Sequence, residues 1–291
     1  MSDFQQINKD FIERSVEPQK EHSWAFIFFT YIVYMLVICI IVFGLFEYEI
    51  LNFIQLGTNH IIHVTLVVSL LLFAVTIGII VKKKGQIPLR DLGLKLQQLK
   101  EGLLFYAALY IGYNLVVVIL NLALAGTPNF SPYWEDRGLV YYLGFLAGQI
   151  FGNVLVEETY YRGYLLPQMI KKFHANQPEA EFKSIFLGIV LSNILFSLLH
   201  IPIRLYTGVT GSDLLYNLFL LMGVGVIYAL MYVLTNNLYI AMAVHIMSNI
   251  TFALFSPVFS IWGLTFWISF LLVVVIIKVR YKAQNHEFGQ K

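Results

Sequence analysis

The sequence predicts an all-α, polytopic membrane helical bundle of about eight transmembrane helices, on three observations. Of its 291 residues 58% are hydrophobic and only 12% charged, against roughly 25% charged in an ordinary soluble domain. The apolar residues gather in blocks of about 20, the length that crosses a hydrocarbon core of roughly 30 Å. Basic residues follow the second block (Lys82, Lys83, Lys84, Arg90, Lys95, Lys100) and the last (Lys278, Arg280, Lys282), whereas "FEYEILNFIQLGTNH" has none. That asymmetry predicts both termini on the cytoplasmic side of a cell membrane.

Residues 1–23 are a polar segment of mixed charge. They lack the short apolar core and small residues of a cleavable signal, so the first apolar span is expected to remain as an anchor. Spans are expected near 24–46, 61–81, 102–125, 183–203, 213–234, 238–257 and 259–279. A fourth in chain order begins near 139 with "LVYYLGFLAGQIFGNVLV". Between the second and third lies "KKKGQIPLRDLGLKLQQLKEG", whose leucines at 89, 92, 94, 96 and 99 suit either a surface amphipathic helix or a solvated loop. The third and fourth are separated by the turn-rich "GTPNFSPYWEDRG". No repeat or low-complexity tract divides the chain.

Net charge is +2, and the basic residues form short clusters beside apolar spans, not one broad patch, which argues against a nucleic-acid partner. The single cysteine, Cys39 in "MLVICIIVF", reads as a packing residue; with no second cysteine there is no internal disulfide and no reading of redox compartment.

Few residues within the spans can do chemistry: Glu157, Glu158 and Arg162 in "LVEETYYRGYLL", His200 ending "SNILFSLLH", and His245 with Asn249 in "AMAVHIMSN". Carboxylates in hydrocarbon cost several kcal/mol unless compensated. On a helix Glu158 and Arg162, four apart, share a face and pair. Glu157 is turned about 100° away, so Arg162 does not serve both acids; Glu157 is either solvated at the interface or aimed at something else. His60 and His63 in "HIIH" read as interfacial, at a span boundary without an acidic neighbour. His245 and Asn249 stack one turn apart inside an apolar span, which calls for an internal partner or a wet cavity. A free acid, two histidines and an amide are the parts needed to activate a water and stabilise an oxyanion.

"EETYYR" (157–162), "FSLLH" (196–200) and "HIMSN" (245–249) resemble, in order, the E-E-x-x-x-R, F-x-x-x-H and H-x-x-x-N/B motifs of the CAAX prenyl protease and bacteriocin-processing family of intramembrane proteases, also called Abi. The resemblance spans roughly residues 140–255. It implies an endopeptidase in which Glu157 is general base, His200 helps polarise the water, His245 and Asn249 hold the oxyanion, and Glu158 and Arg162 support them. It also implies a membrane-associated peptide or protein as substrate. The chain then divides into a polar cytoplasmic segment (1–23), N-terminal spans (24–138), the catalytic helical core (139–257) and a last span with a basic tail (258–291). A divalent metal such as zinc is left open, with Glu157, His200 and His245 as candidate ligands; there is no H-E-x-x-H.

Two other readings compete: a non-proteolytic immunity or regulatory protein of the same family, and a proton-coupled transporter, which the lack of an internal repeat disfavours. The absence of organelle signals points to a bacterial plasma membrane. Geometry sets one condition: at 1.5 Å per residue His245 lies about 10 Å into its span and His200 about 25 Å along one entered from the other end. They meet if the helices are staggered, and a fourth helix running past Arg162 toward "PQMIKKF" brings Glu157 to the middle of the bundle.

Overall fold

The computed structural model describes residues 3–128, 130–131, 138–174, 181–249, 254–257 and 263–288, with side chains described for 6–279 of these. They form helices α1 (Asp3–Phe11), α2 (Trp24–Phe46), α3 (Asn52–Gly57), α4 (Val64–Lys84), α5 (Leu96–Ala125), α6 (Gly138–His174), α7 (Glu181–Leu199), α8 (Ile201–Tyr206), α9 (Gly211–Thr235), α10 (Leu238–Asn249) and α11 (Leu264–Phe288), with no strand among the described residues. Six helical stretches are long and apolar enough to cross a membrane: α2, α4, α5, α6, α7 continued through α8, and α9. The protein is therefore a multi-pass membrane protein. The two remaining expected spans are shorter apolar helices, Leu238–Asn249 and Leu264–Val279.

Local signals set several helix ends. Ser23 caps α2 by accepting from the Phe26 N–H, and His63 caps α4 by accepting from the Thr65 N–H. Gly126 at φ 76° ends α5, and Asn236 at φ 51° ends α9, both in the left-handed conformation that closes helices. Phe28, Phe29, Ile32, Leu36 and Ile40 of α2 are exposed; with no internal partner, that face suits lipid.

The expected span 238–257 is interrupted. Residues 250–253 are outside the described set, but 254–257 are not helical: Ser131 N–H donates to Leu254 O, Leu254 N–H to Asn114 Oδ1 and Asn121 Nδ2 to Ser256 O. Asparagines on α5 capture backbone groups that a continued helix would have used internally. Between α4 and α5 the chain is irregular from 85 to 95, neither amphipathic helix nor solvated loop, since Ile87 and Leu92 are fully buried and the Leu92 backbone packs on Gly163; Leu96 and Leu99 open α5. Most of "GTPNFSPYWEDRG" (129 and 132–137) and the side chains of Arg280 and Lys282 lie outside the described residues.

Residues 1–23 are more than a polar end. Phe11, Ile12 and Val16 are buried, with Phe11 edge-on to Tyr232 of α9 at 5.2 Å. Gln19 Nε2 donates to Gly163 O (2.6 Å) and Asp91 O (2.9 Å), and Gln168 Nε2 to Lys20 O (3.0 Å). His22 Nε2 meets the Gly85 carbonyl at 2.8 Å, so it carries the proton; Nδ1 then accepts from the Tyr164 hydroxyl. The segment closes the end of the bundle where α6 carries Gly163, Tyr164 and Gln168.

Candidate active site

Helix α6 carries both glutamates through the centre of the protein. Every residue from 156 to 170 is buried, so this stretch, unlike α2, has no lipid face. Close approach explains its glycines: a Cβ on Gly163 would strike the Leu92 backbone, and one on Gly152 would crowd Thr65 O and Ser69 Cβ of α4 at 3.1 and 3.2 Å. The helix widens into π turns over Gly148–Val154 and Thr159–Leu165, on either side of the acids, a local expansion frequent at functional sites.

Glu158 is fully buried and paired twice. Arg162 Nη1 donates to its Oε1 at 3.1 Å, and His245 Nδ1 meets the same oxygen at 2.7 Å. A carboxylate oxygen only accepts, so Nδ1 carries the proton and Nε2 is the free edge of the ring. That edge faces Glu157 Oε2 at 3.6 Å. Arg162 is itself held by Asn193 Oδ1 (3.1 Å) and Gly225 O (2.8 Å), and it lies over the Phe196 ring at 4.6 Å. Tyr228 stacks on His245, centroids 4.4 Å apart and planes 19° off parallel. Such a buried cluster survives because each charge has partners; removing one strands another.

Glu157 stands apart: Oε2 is buried without a hydrogen-bond partner. Beside it lies a cavity of about 540 Å³ whose walls include Tyr34, Gln149, Glu157, His200, Arg204, His245 and Asn249. His200 Nδ1 donates to Phe196 O at 2.9 Å, which leaves its Nε2 lone pair available. Asn249 Nδ2 is 3.4 Å from Gln149 Oε1, and the Tyr34 hydroxyl, fully buried, has no partner.

The two histidines meet, but not from spans entered at opposite ends: α7 and α10 both reach the cavity at their C-terminal ends and so run in the same direction. The cavity takes the last part of α2, the first part of α4, the end of α7 with α8, and the last turn of α10. In an antiparallel bundle these are the same end, opposite Lys82–Lys84 and the N-terminal segment.

All six residues picked from sequence thus come together: Glu157, His200, His245 and Asn249 line the cavity, and Glu158 and Arg162 lie directly behind. Helix spacing anticipated the Glu158–Arg162 pair but not that Glu158 also holds His245. It missed Tyr34, Gln149, Tyr228 and Arg204. Tyr34 sits on the apolar α2 and carries no local signal; Arg204, four after His200, did carry one. Among the described residues no group of three His, Cys, Asp or Glu side chains is arranged to hold a metal ion, although Nδ1 of His245 bonds Glu158 and Nδ1 of His200 bonds backbone, which leaves Nε2 of each free at the cavity.

The structure is thus a multi-pass helical bundle that buries a carboxylate–histidine cluster against a cavity. Residues 139–251, over a third of the chain, match the family model of Rce1-like, type II CAAX prenyl endopeptidases. That core, which contains all three motifs, is similar to this family of membrane proteases. Among curated proteins and among solved structures, nothing matches it.

Proposed function

We propose that the protein is an intramembrane endopeptidase that hydrolyses a peptide bond of a membrane-associated peptide or protein, in a bacterial plasma membrane. The observation that carries this reading is the unpartnered Glu157 Oε2 at the cavity wall, 3.6 Å from His245 Nε2. An orphaned buried acceptor costs about 1–3 kcal/mol, and a bound water relieves it.

In this reading Glu157 takes a proton from that water as it attacks the scissile carbonyl, and the free Nε2 of His200 helps orient it. His245 and Asn249 stabilise the oxygen that becomes negative. His245 donates to that oxygen only with a proton on Nε2 as well as on Nδ1. Glu157 next delivers the proton to the leaving amine. Glu158 and Arg162 do no chemistry; they fix the tautomer and tilt of His245, as a ligand-orienting carboxylate does for other catalytic histidines.

The test is a comparison of membrane proteomes from cells carrying wild-type protein or Glu157→Ala at equal abundance. Cleaved peptides that vanish in the variant support the reading. A biological role retained in full by the variant would favour a non-proteolytic regulator.

A further inference from the structure

The cavity contains a cation that the proposed hydrolysis does not use. Arg204 lies on α8, half-buried at the cavity wall, and its Nε is buried with no hydrogen-bond partner. No carboxylate among the described residues lies within ion-pair distance of it, whereas Arg162, the other cation of this site, has a carboxylate and two further acceptors. Both arginines are buried or half-buried in one chain, and only one is matched. A guanidinium held in a low-dielectric wall without a counter-charge is costly. Its planar fork fits a carboxylate through two parallel hydrogen bonds.

Position makes the group useful. Arg204 N–H donates to His200 O, so one helical turn joins the two residues and puts both side chains on one face. The Arg204 Cα is therefore about 6 Å along the axis from that of His200, toward the end of the cavity where α2 and α8 finish. In an extended peptide that offset is about two residues, at roughly 3.3 Å each.

We propose that Arg204 is a substrate-recognition residue that binds a peptide carboxylate about two residues from the scissile bond, supplied by an acidic side chain or by the chain terminus. This deepens the endopeptidase reading and rests on it. The carboxylate neutralises Arg204 and fixes the register of the peptide against Glu157 and His200, so Arg204 sets specificity without touching the reacting atoms.

The experiment measures peptide binding to full-length Glu157→Gln protein, purified in a zwitterionic detergent, with and without Arg204→Gln. The probes are one apolar peptide made as C-terminal acid or amide, and the amide carrying a single Asp or Asn at successive positions. The acid or the Asp peptide is expected to bind on the order of tenfold to a hundredfold more tightly than its neutral partner, and the winning pair identifies the source. Arg204→Gln should bring the two to parity, and Arg204→Lys should fall between, with thermal melts showing that each variant is folded. Equal binding of acid and neutral peptides, or a preference that survives in Arg204→Gln, overturns the proposal. So does displacement of the peptide preference by phosphatidylglycerol, which would make Arg204 a headgroup anchor. Failure of the wild-type protein to cleave any peptide that it binds would instead overturn the endopeptidase reading and leave the binding comparison standing.

Discussion

The two halves of α6 use buried polar groups in opposite ways. From Gly163 to Gln168 the helix is locked: Gly163 O and Gln168 are all engaged by Gln19, Lys20 and His22 of the N-terminal segment, and that end of the bundle is closed. From Gln149 to Glu157 it faces the cavity, where Glu157 Oε2 has no partner. Satisfied groups hold a structure in one arrangement, and an unsatisfied one is where a substrate or water has something to gain. One helix thus serves as a rigid mount at one end and, in the proposed reading, a reactive wall at the other.

Removing the reactive acid sharpens the contrast most. Glu157→Gln should lower the cleavage rate of a peptide substrate about 10²- to 10⁴-fold and leave thermal unfolding in detergent unchanged, since no described hydrogen bond depends on Oε2. An accompanying drop in melting temperature would break the comparison. At the junction of the halves, Arg162→Met strands Glu158 and should cost about 3–5 kcal/mol, read by thermal or denaturant unfolding. Adding Glu158→Gln should recover part of that stability but not activity, because His245 then loses its charged partner.

On the locked side effects are smaller and confined to stability. Gln19→Ala removes donors to Gly163 O and Asp91 O and should cost about 1–3 kcal/mol, with kcat unchanged for the protein that remains folded. The weakest effect follows pH. Burial, reinforced by Lys20, Lys172 and Lys171, lowers the His22 pKa below its ordinary 6.5 against the opposing pull of the Gly85 carbonyl. The unfolded chain therefore binds a proton more readily, so the contribution of His22 is complete above about pH 6.5 and declines as pH falls below it. Unfolding of His22→Gln measured from pH 7.5 to 5 should show a shallower decline than wild type; parallel curves would sink this assignment.

Much of the site was legible because it depends on local spacing. Four positions on a helix pair Glu158 with Arg162 and put His245 and Asn249 on one cavity wall, and motif order brings "EETYYR", "FSLLH" and "HIMSN" into one core. Hydropathy likewise marks the six long spans, since crossing lipid demands length and apolarity from each segment separately. The end of α10 was not legible: "NITFALFSP" is apolar enough to continue a helix, and what stops it by 254 includes Asn114 and Asn121 from α5, well over a hundred residues away.

By itself, then, the sequence determined that this is a multi-pass helical membrane protein and which acids and histidines are candidates for its chemistry, because period and hydropathy are properties of a segment. Only tertiary structure decided that Glu158 grips His245, that Tyr34 and Arg204 join the cavity wall, and that residues 1–23 close the far end. Those facts depend on which helix faces meet, and the partners lie tens to hundreds of residues apart on apolar stretches that carry no local mark of the encounter.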